Sequence, residues 1–143
     1  MKKALLVFII AILTPLFAFA KEYGWICADY AKGGSWFVFV YENVSKPVTK
    51  YGRFKVWVEW KFYTPKAQAD FKTKARSIKE LYEISYDFSE YRILQSTSYD
   101  KEDKVIESIS IPTEKEYIIP CTIGENIIET TKEIIKGDRT SEK

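Results

Sequence analysis

The chain contains no histidine among its 143 residues, and this absence excludes several chemistries at once. Catalytic triads with a histidine base need an imidazole, and histidine-ligated metal sites need its ring nitrogens. The sequence also lacks a phosphate-binding loop, a glycine-rich dinucleotide fingerprint and an internal repeat. Most hydrolase mechanisms thereby lose their base, and the acidic residues have the pattern of surface charges on strands, turns and helix faces, so we predict that the protein is not an enzyme and holds no cofactor or metal.

After residue 20 the sequence has no further long hydrophobic run, so we expect no membrane span in the mature chain. The run at the start follows Lys2 and Lys3 and ends in small residues around Phe19, a pattern typical of a signal peptide. Residues 1–20 are therefore predicted to be cleaved before Lys21, which places the protein in the periplasm, on the cell surface or in the medium. A permanent anchor is the alternative, but Pro15 interrupts a run that is short for a spanning helix.

Basic and acidic residues would be equal in number after removal of the predicted signal peptide. The full chain has 22 basic and 20 acidic residues, and cleavage would remove Lys2 and Lys3, leaving equal numbers. This balance argues against a nucleic-acid partner. The remaining length suits one domain, predicted at residues 21–136, with a disordered tail at 137–143 that carries no apolar periodicity.

The neutral total hides a segregation of charge along the chain. Residues 50–76 contain eight basic and two acidic residues, whereas residues 77–143 contain nine basic and fifteen acidic ones. Two interpretations are open: the segments neutralise each other, or the basic stretch binds acidic glycans, lipid headgroups or an acidic partner. The candidate binding residues of the second interpretation are Lys66, Lys72, Lys74 and Arg76.

Apolar residues at every second position predict strands over much of the chain. Within residues 53–64 the apolar side chains fall on one face and charged ones on the other, which favours an antiparallel sheet with one core face. Residues 24–30 and 35–43 are predicted to pair as a hairpin, because the intervening Gly33 and Gly34 can take positive φ.

Trp57 and Tyr63 lie on the charged face of residues 53–64. Cover by a helix is one interpretation, since large exposed apolar patches are unusual in soluble monomers. The alternatives are a ligand platform and a dimer contact, so both residues are candidate binding residues.

Residues 65–80 are predicted to be helical in part. Thr64 can cap a helix that begins at Pro65, and Phe71, Ala75 and Ile78 have helical spacing. The extended pattern then returns, with a change of parity that predicts a bulge near residues 89–90. The acidic run 100–103 lacks the spaced ligands and the glycine of an EF-hand, so we interpret it as a solvated hairpin turn.

A C-terminal amphipathic helix is predicted at residues 123–135. Thr122 and Glu125 have the spacing of a capping box, in which a hydroxyl and a carboxylate each accept from an orphan backbone N–H. The isoleucines that follow form one apolar stripe that can cover the sheet.

Two cysteines, Cys27 and Cys121, remain in the predicted mature chain. In an exported protein with an even cysteine count, we expect them to form a disulfide that ties the first strand to the last helix. The alternative is a reactive thiol at Cys121, because a helix N-terminus lowers a thiol pKa.

The chain resembles the bacterial surface-adhesin protein E family of small exported proteins. The resemblance rests on short motifs in chain order: Trp25, residues 36–41, residues 56–60 with Tyr63, residues 91–94, residues 99–100 with 105–106, and residues 120–122. It departs where family members often carry Asp-Cys and a helix cysteine, because Ser85-Tyr86 and Ile134-Ile135 stand there instead. The resemblance implies a sheet of about six antiparallel strands with packed helices and a dimer that binds host matrix proteins.

We predict an α+β fold: an antiparallel sheet of about six strands with the C-terminal amphipathic helix packed on it. The predicted function is non-catalytic binding of a protein partner, adhesin-like, with a homodimer as a further prediction. The alternatives are a periplasmic structural or accessory protein of an envelope complex, and a small-ligand carrier or inhibitor.

Overall fold

A computed structural model describes residues 24–49, 51–110 and 112–137 of the chain. The predicted signal peptide, its cleavage site at Lys21 and all but Gly137 of the predicted tail lie outside the described residues.

The elements follow the chain as strands with one short and one long helix. The strands are β1 (Trp25–Tyr30), β2 (Trp36–Tyr41), β3 (Arg53–Phe62), β4 (Ser77–Ser85), β5 (Glu90–Tyr99), β6 (Val105–Ile109) and β7 (Glu116–Tyr117). The helices are α1 (Pro65–Asp70) and α2 (Ile123–Lys136).

The strands form one antiparallel sheet in the order β1-β2-β3-β4-β5-β6, and β7 adds to the free side of β5. The predicted fold class is confirmed: the protein is α+β, with six main strands and a C-terminal helix on the sheet. The predicted β1–β2 hairpin is also confirmed, and Gly33 and Gly34 take φ values of 97° and 76° in its turn.

One face of the sheet, which we call the helix face, carries the core. Because β3 alternates, every second side chain lies on this face, beside Val38 and Val40 of β2. These β3 residues are Phe54, Val56, Val58, Trp60 and Phe62. Helix α2 packs Ile127 and Ile128 against them, each 1% exposed. Full burial of such a side chain stabilises the fold by about 1.5 to 3 kcal/mol, so α2 is fixed to the sheet by this stripe.

Helix α2 begins as the sequence predicts. The Thr122 hydroxyl accepts from the Glu125 N–H at 3.3 Å, and the Glu125 carboxylate accepts from the Cys121 N–H. The helix ends at Gly137, which adopts φ 74° and so closes the last turn without a steric penalty.

Helix α1 is shorter than the apolar spacing indicates. Thr64 caps it as predicted, accepting from the Ala67 N–H at 3.1 Å, but the helix ends at Asp70. The chain folds back because the Gln68 side-chain amide donates to the carbonyls of residues 74 and 75. Residues 77–85 then pair with β3 and β5 as a strand.

The predicted bulge near residues 89–90 is a tight turn instead. The Ser85 hydroxyl accepts from the Ser89 and Glu90 N–H groups at 3.1 Å, and Phe88 adopts φ 59°. The parity change therefore marks the reversal between two strands. An irregularity in the β4–β5 pairing does occur, between Leu81 and Tyr82.

The predicted disulfide between Cys27 and Cys121 is absent from the structure, which describes both residues. Cys27 is paired with Phe39, and both alternate with the core valines of β2, so Cys27 points away from the helix face. Cys121 directly precedes α2, which lies on the helix face. A bond would have to cross the sheet, and a disulfide spans only about 4 to 7 Å between Cα atoms.

Candidate functional site

The opposite face of the sheet, which we call the open face, is not covered by either described helix. Helix α2 and the α1 segment both pack on the helix face, the latter through Phe71 against Trp36, Trp60 and Phe62. The side chains of the open face are therefore mainly those that strand alternation directs away from the helices.

An aromatic row, which we define as the open-face rings of β1 and β2 together with Tyr63 just after β3, runs along one side of this face. Phe37 lies at its centre, with ring centroids 5.9 Å from Tyr30, 6.0 Å from Phe39 and 5.8 Å from Tyr63. Trp25 and Tyr41 continue the row with centroids 5.1 Å apart. Tyr30 and Tyr63 are 62% and 39% exposed, and the other four are half-buried.

Cations lie over several of these rings. The Lys61 ammonium is 5.6 Å from the Phe39 centroid, and the Arg76 guanidinium is 4.4 Å from that of Tyr63. Lys79 lies 5.6 Å from the Tyr99 ring on the same face. Such contacts are attractive because the ring face is negative, and they hold the positive charges against the aromatic surface.

The other end of the open face carries an ion-pair network. The Glu83 carboxylate lies 2.8 Å from Arg92 and 3.7 Å from Arg53, whose guanidinium also donates to Glu90 at 3.1 Å. The hydrogen bond from Arg53 and the nearby Lys115 lower the pKa of Glu90. Since every charged member has an opposite partner, this network positions side chains and leaves little net charge for binding.

The four basic candidate residues are not brought together. Arg76 lies at the aromatic row, where it also donates to the Phe62 carbonyl at 2.8 Å. Lys66 is in α1 and pairs with Asp70 at 2.7 Å. Lys72 and Lys74 are exposed in the segment after α1 and make no ion pair with any residue that the structure describes.

The ion pairs also bear on the two interpretations of charge segregation. Of the described basic residues in 50–76, Arg53 pairs with acidic residues of the second half. Lys61 and Lys66 pair within the stretch, with Glu59 at 3.8 Å and Asp70 at 2.7 Å. Mutual neutralisation through ion pairs therefore involves Arg53 but not the lysines.

Trp57 and Tyr63 both lie on the open face, as the β3 alternation predicts. Trp57 is paired with Leu81 and is half-buried, whereas Tyr63 belongs to the aromatic row. Neither described helix covers these two residues, so the interpretation of cover by a helix finds no support in the described part of the chain. The sequence reasoning missed the rest of the row, although the alternation within β2 placed Phe37, Phe39 and Tyr41 on one face.

The acidic side chain of Glu80 lies on the helix face and is partly buried. The Trp60 indole donates to the Glu80 carboxylate at 3.0 Å, and Tyr82 and Ser96 are also neighbours. Burial raises the pKa of Glu80, and these hydrogen bonds oppose the rise without cancelling it. The next strand position on this face is Tyr82, whose pKa burial also raises. We interpret the group as a satisfied polar cluster in the core.

Two open cavities bear on the carrier alternative. One of about 410 Å³ lies between residues 51–53 and the β4–β5 turn, and one of about 300 Å³ lies between Tyr91, β7 and the start of α2. Hydroxyl and carboxylate groups line the first. Small-molecule sites are mostly apolar and enclose their ligand. The first cleft is polar, and the second, although isoleucines line it, is open to solvent, so neither favours a carrier.

Among the described residues, no cluster of three or more histidine, cysteine, aspartate or glutamate side chains is arranged to hold a metal ion. In the same part of the chain, neither helix has the length and apolar character needed to cross a membrane.

Comparison with known proteins finds no matching family model, no matching curated protein and no matching solved structure. The resemblance to the surface-adhesin protein E family stays a prediction from the sequence motifs given above.

Proposed function

We propose that the protein is an exported, non-catalytic binding protein that holds an acidic protein partner on its open face. The observation that carries this proposal is the aromatic row, which lies on a face that neither described helix covers. Aromatic residues and arginine are enriched in protein interfaces, and aromatic rings in particular bury much area at a small cost in conformational entropy.

Charge supports an acidic partner. The strands and the adjoining segment place six basic residues on the open face against three acidic ones, Glu59, Glu83 and Glu90. Arg53, Lys61 and Arg92 pair with those carboxylates, so the excess positive charge lies on Lys55, Arg76 and Lys79. Lys55 is exposed and makes no ion pair with a described residue. An acidic protein surface would meet these charges while its apolar side chains pack on the rings.

Capture from an envelope extract tests the proposal. The purified protein, immobilised through a C-terminal tag, should retain acidic envelope or host matrix proteins, and Lys55→Glu should reduce capture. Lys66→Glu is the matched control, because it makes the same charge change on α1, away from the open face. Equal capture by all three proteins would contradict the proposal.

The location of the captured partner separates adhesion from an accessory role. Protease treatment of intact cells should remove the protein if it is displayed on the surface, and host matrix proteins would then be the relevant partners. A protected protein that captures envelope components supports the periplasmic accessory role.

A further inference from the structure

Strand β6 forms one edge of the sheet, and no described strand pairs with its outer side. All five of its residues are exposed. An edge strand presents a row of backbone N–H and C=O groups to solvent, and another extended segment can pair with them. β6 is therefore structurally able to accept one more strand.

The side chains of β6 do little to prevent such pairing. Val105, Ile106 and Ile109 are 60%, 51% and 45% exposed, and Glu107 is the one charged residue of the strand. Proteins usually protect edges with lysine, proline or inward charges. β7 pairs with β5 as β6 does, and its Tyr117 is 78% exposed. An exposed apolar edge of this kind is typical of an interaction site.

The surroundings of this edge are acidic, unlike the open face. Residues 100–117 contain six acidic and three basic residues, and one of the three, Lys115, is paired with Glu90 at 3.4 Å. Glu107 and Ile109 share the helix face, beside Ser98 and Ser96. Ser108 faces the other way and shares a hydrogen bond of 2.9 Å with Thr97.

The β6 strand of a second copy of the chain is not complementary in charge to this edge. Two β6 strands that pair antiparallel about Glu107 would place the two carboxylates opposite each other, and like charges in that position are destabilising. Pairing about Ser108 would place each Glu107 opposite Ile109. In neither register does the carboxylate meet a cation, so the edge suits a different, basic strand.

We propose that the outer edge of β6 accepts an extended segment of a partner protein in which a lysine or arginine lies two residues from an aliphatic residue. The basic residue would lie opposite Glu107 and the aliphatic one opposite Ile109, on one face of the added strand. Backbone hydrogen bonds supply affinity and the alternating side chains supply specificity, as in other cases of strand addition. This inference does not rest on the open-face proposal.

The probe is a nonapeptide with alternating lysine and valine at odd positions and threonine at even positions. Added to the full-length protein, it should shift the backbone amide resonances of residues 104–110 in ¹⁵N spectra. A peptide with glutamate in place of lysine should bind roughly fivefold to tenfold more weakly, because the cross-strand charge pair becomes repulsive.

Variants locate the contact. Glu107→Lys should reverse the preference between the two peptides, whereas Glu129→Lys on α2 makes the same charge change elsewhere and should leave it intact. Circular dichroism would verify that both variants are folded. Equal binding of both peptides, shifts confined to the open face, or concentration-dependent shifts of β6 without peptide would each overturn the proposal, the last by showing self-pairing.

Discussion

Replacing Phe71 with alanine should destabilise the protein more than any comparable change at the surface. The Phe71 ring lies with centroids 5.4 Å from Trp36, 5.2 Å from Phe62 and 5.6 Å from Trp60. Truncation of a core phenylalanine costs about 3 to 5 kcal/mol, and aromatic pairs contribute about 0.5 to 1.5 kcal/mol each beyond burial. Because Phe71 is half-buried, we expect a loss of about 2 to 3 kcal/mol.

Urea unfolding followed by tryptophan fluorescence measures this loss, since Trp36 and Trp60 report on the same cluster. Phe71→Leu keeps apolar volume and should cost about 1 kcal/mol. Tyr30→Ala is the control, because Tyr30 is 62% exposed and makes one ring contact in the aromatic row. An unchanged unfolding midpoint for Phe71→Ala would refute the argument that this ring fixes the segment after α1.

The ionisable groups and the thiols give three further predictions. Burial raises the pKa of Glu80 in the folded protein. The Glu80 carboxyl therefore does not lower the free energy of unfolding at pH values below the ordinary glutamate pKa, but it does so as pH rises from there through the folded-state pKa. Glu80→Gln retains an acceptor for Trp60 and should be more stable than the wild type at neutral pH but not near pH 4, as paired urea titrations would show. Hydrogen bonds from residues 102 and 104 lower the pKa of Asp100, so Asp100→Ala should lower the melting temperature at neutral pH, with a difference that shrinks as acid protonates the wild-type carboxylate. Alkylation in denaturant without reductant should label both Cys27 and Cys121, and recovery of a joined peptide would contradict the structure.

The sequence alone predicted those elements whose local residue pattern indicates the same secondary structure that their tertiary surroundings favour. β3 alternates over ten residues because both of its neighbours are strands and one face is covered. The start of α2 is equally local, since the hydrogen bonds of Thr122 and Glu125 involve residues within one turn. For these segments, periodicity and capping chemistry were sufficient.

The first four residues of β4 were assigned to the preceding helix because the strand pattern is broken at one core-facing position. Ile78, Tyr82 and Ile84 lie on the helix face, but Glu80 occupies the position between them and Leu81 points the other way. The spacing of Phe71, Ala75 and Ile78 then imitates a helix. The hydrogen bond from Trp60 that makes Glu80 acceptable inside the sheet comes from a residue twenty positions earlier, so no local window contains it.

The site depends on a choice that the sequence does not record, namely which face of the sheet the helices cover. Strand alternation assigns Trp57 and Tyr63 to the charged face of the sheet. In β2, however, both sides are apolar, so its sequence does not indicate which side a helix covers. The disulfide prediction failed for the same reason, because the parity of Cys27 relative to α2 is a tertiary property.

The arrangement of charge explains why the small net charge of +2 is a poor guide to binding. Basic residues with aromatic neighbours lie on the open face, and the acidic, apolar edge lies at β6, at the opposite side of the sheet from β1. A screened interaction acts over about one Debye length, roughly 8 Å in physiological salt, so each surface attracts a partner according to its own charge. The two proposals therefore assign ligands of opposite charge to two surfaces of one protein, and raising the salt concentration should weaken both, whereas Lys55→Glu and Glu107→Lys should each weaken only one.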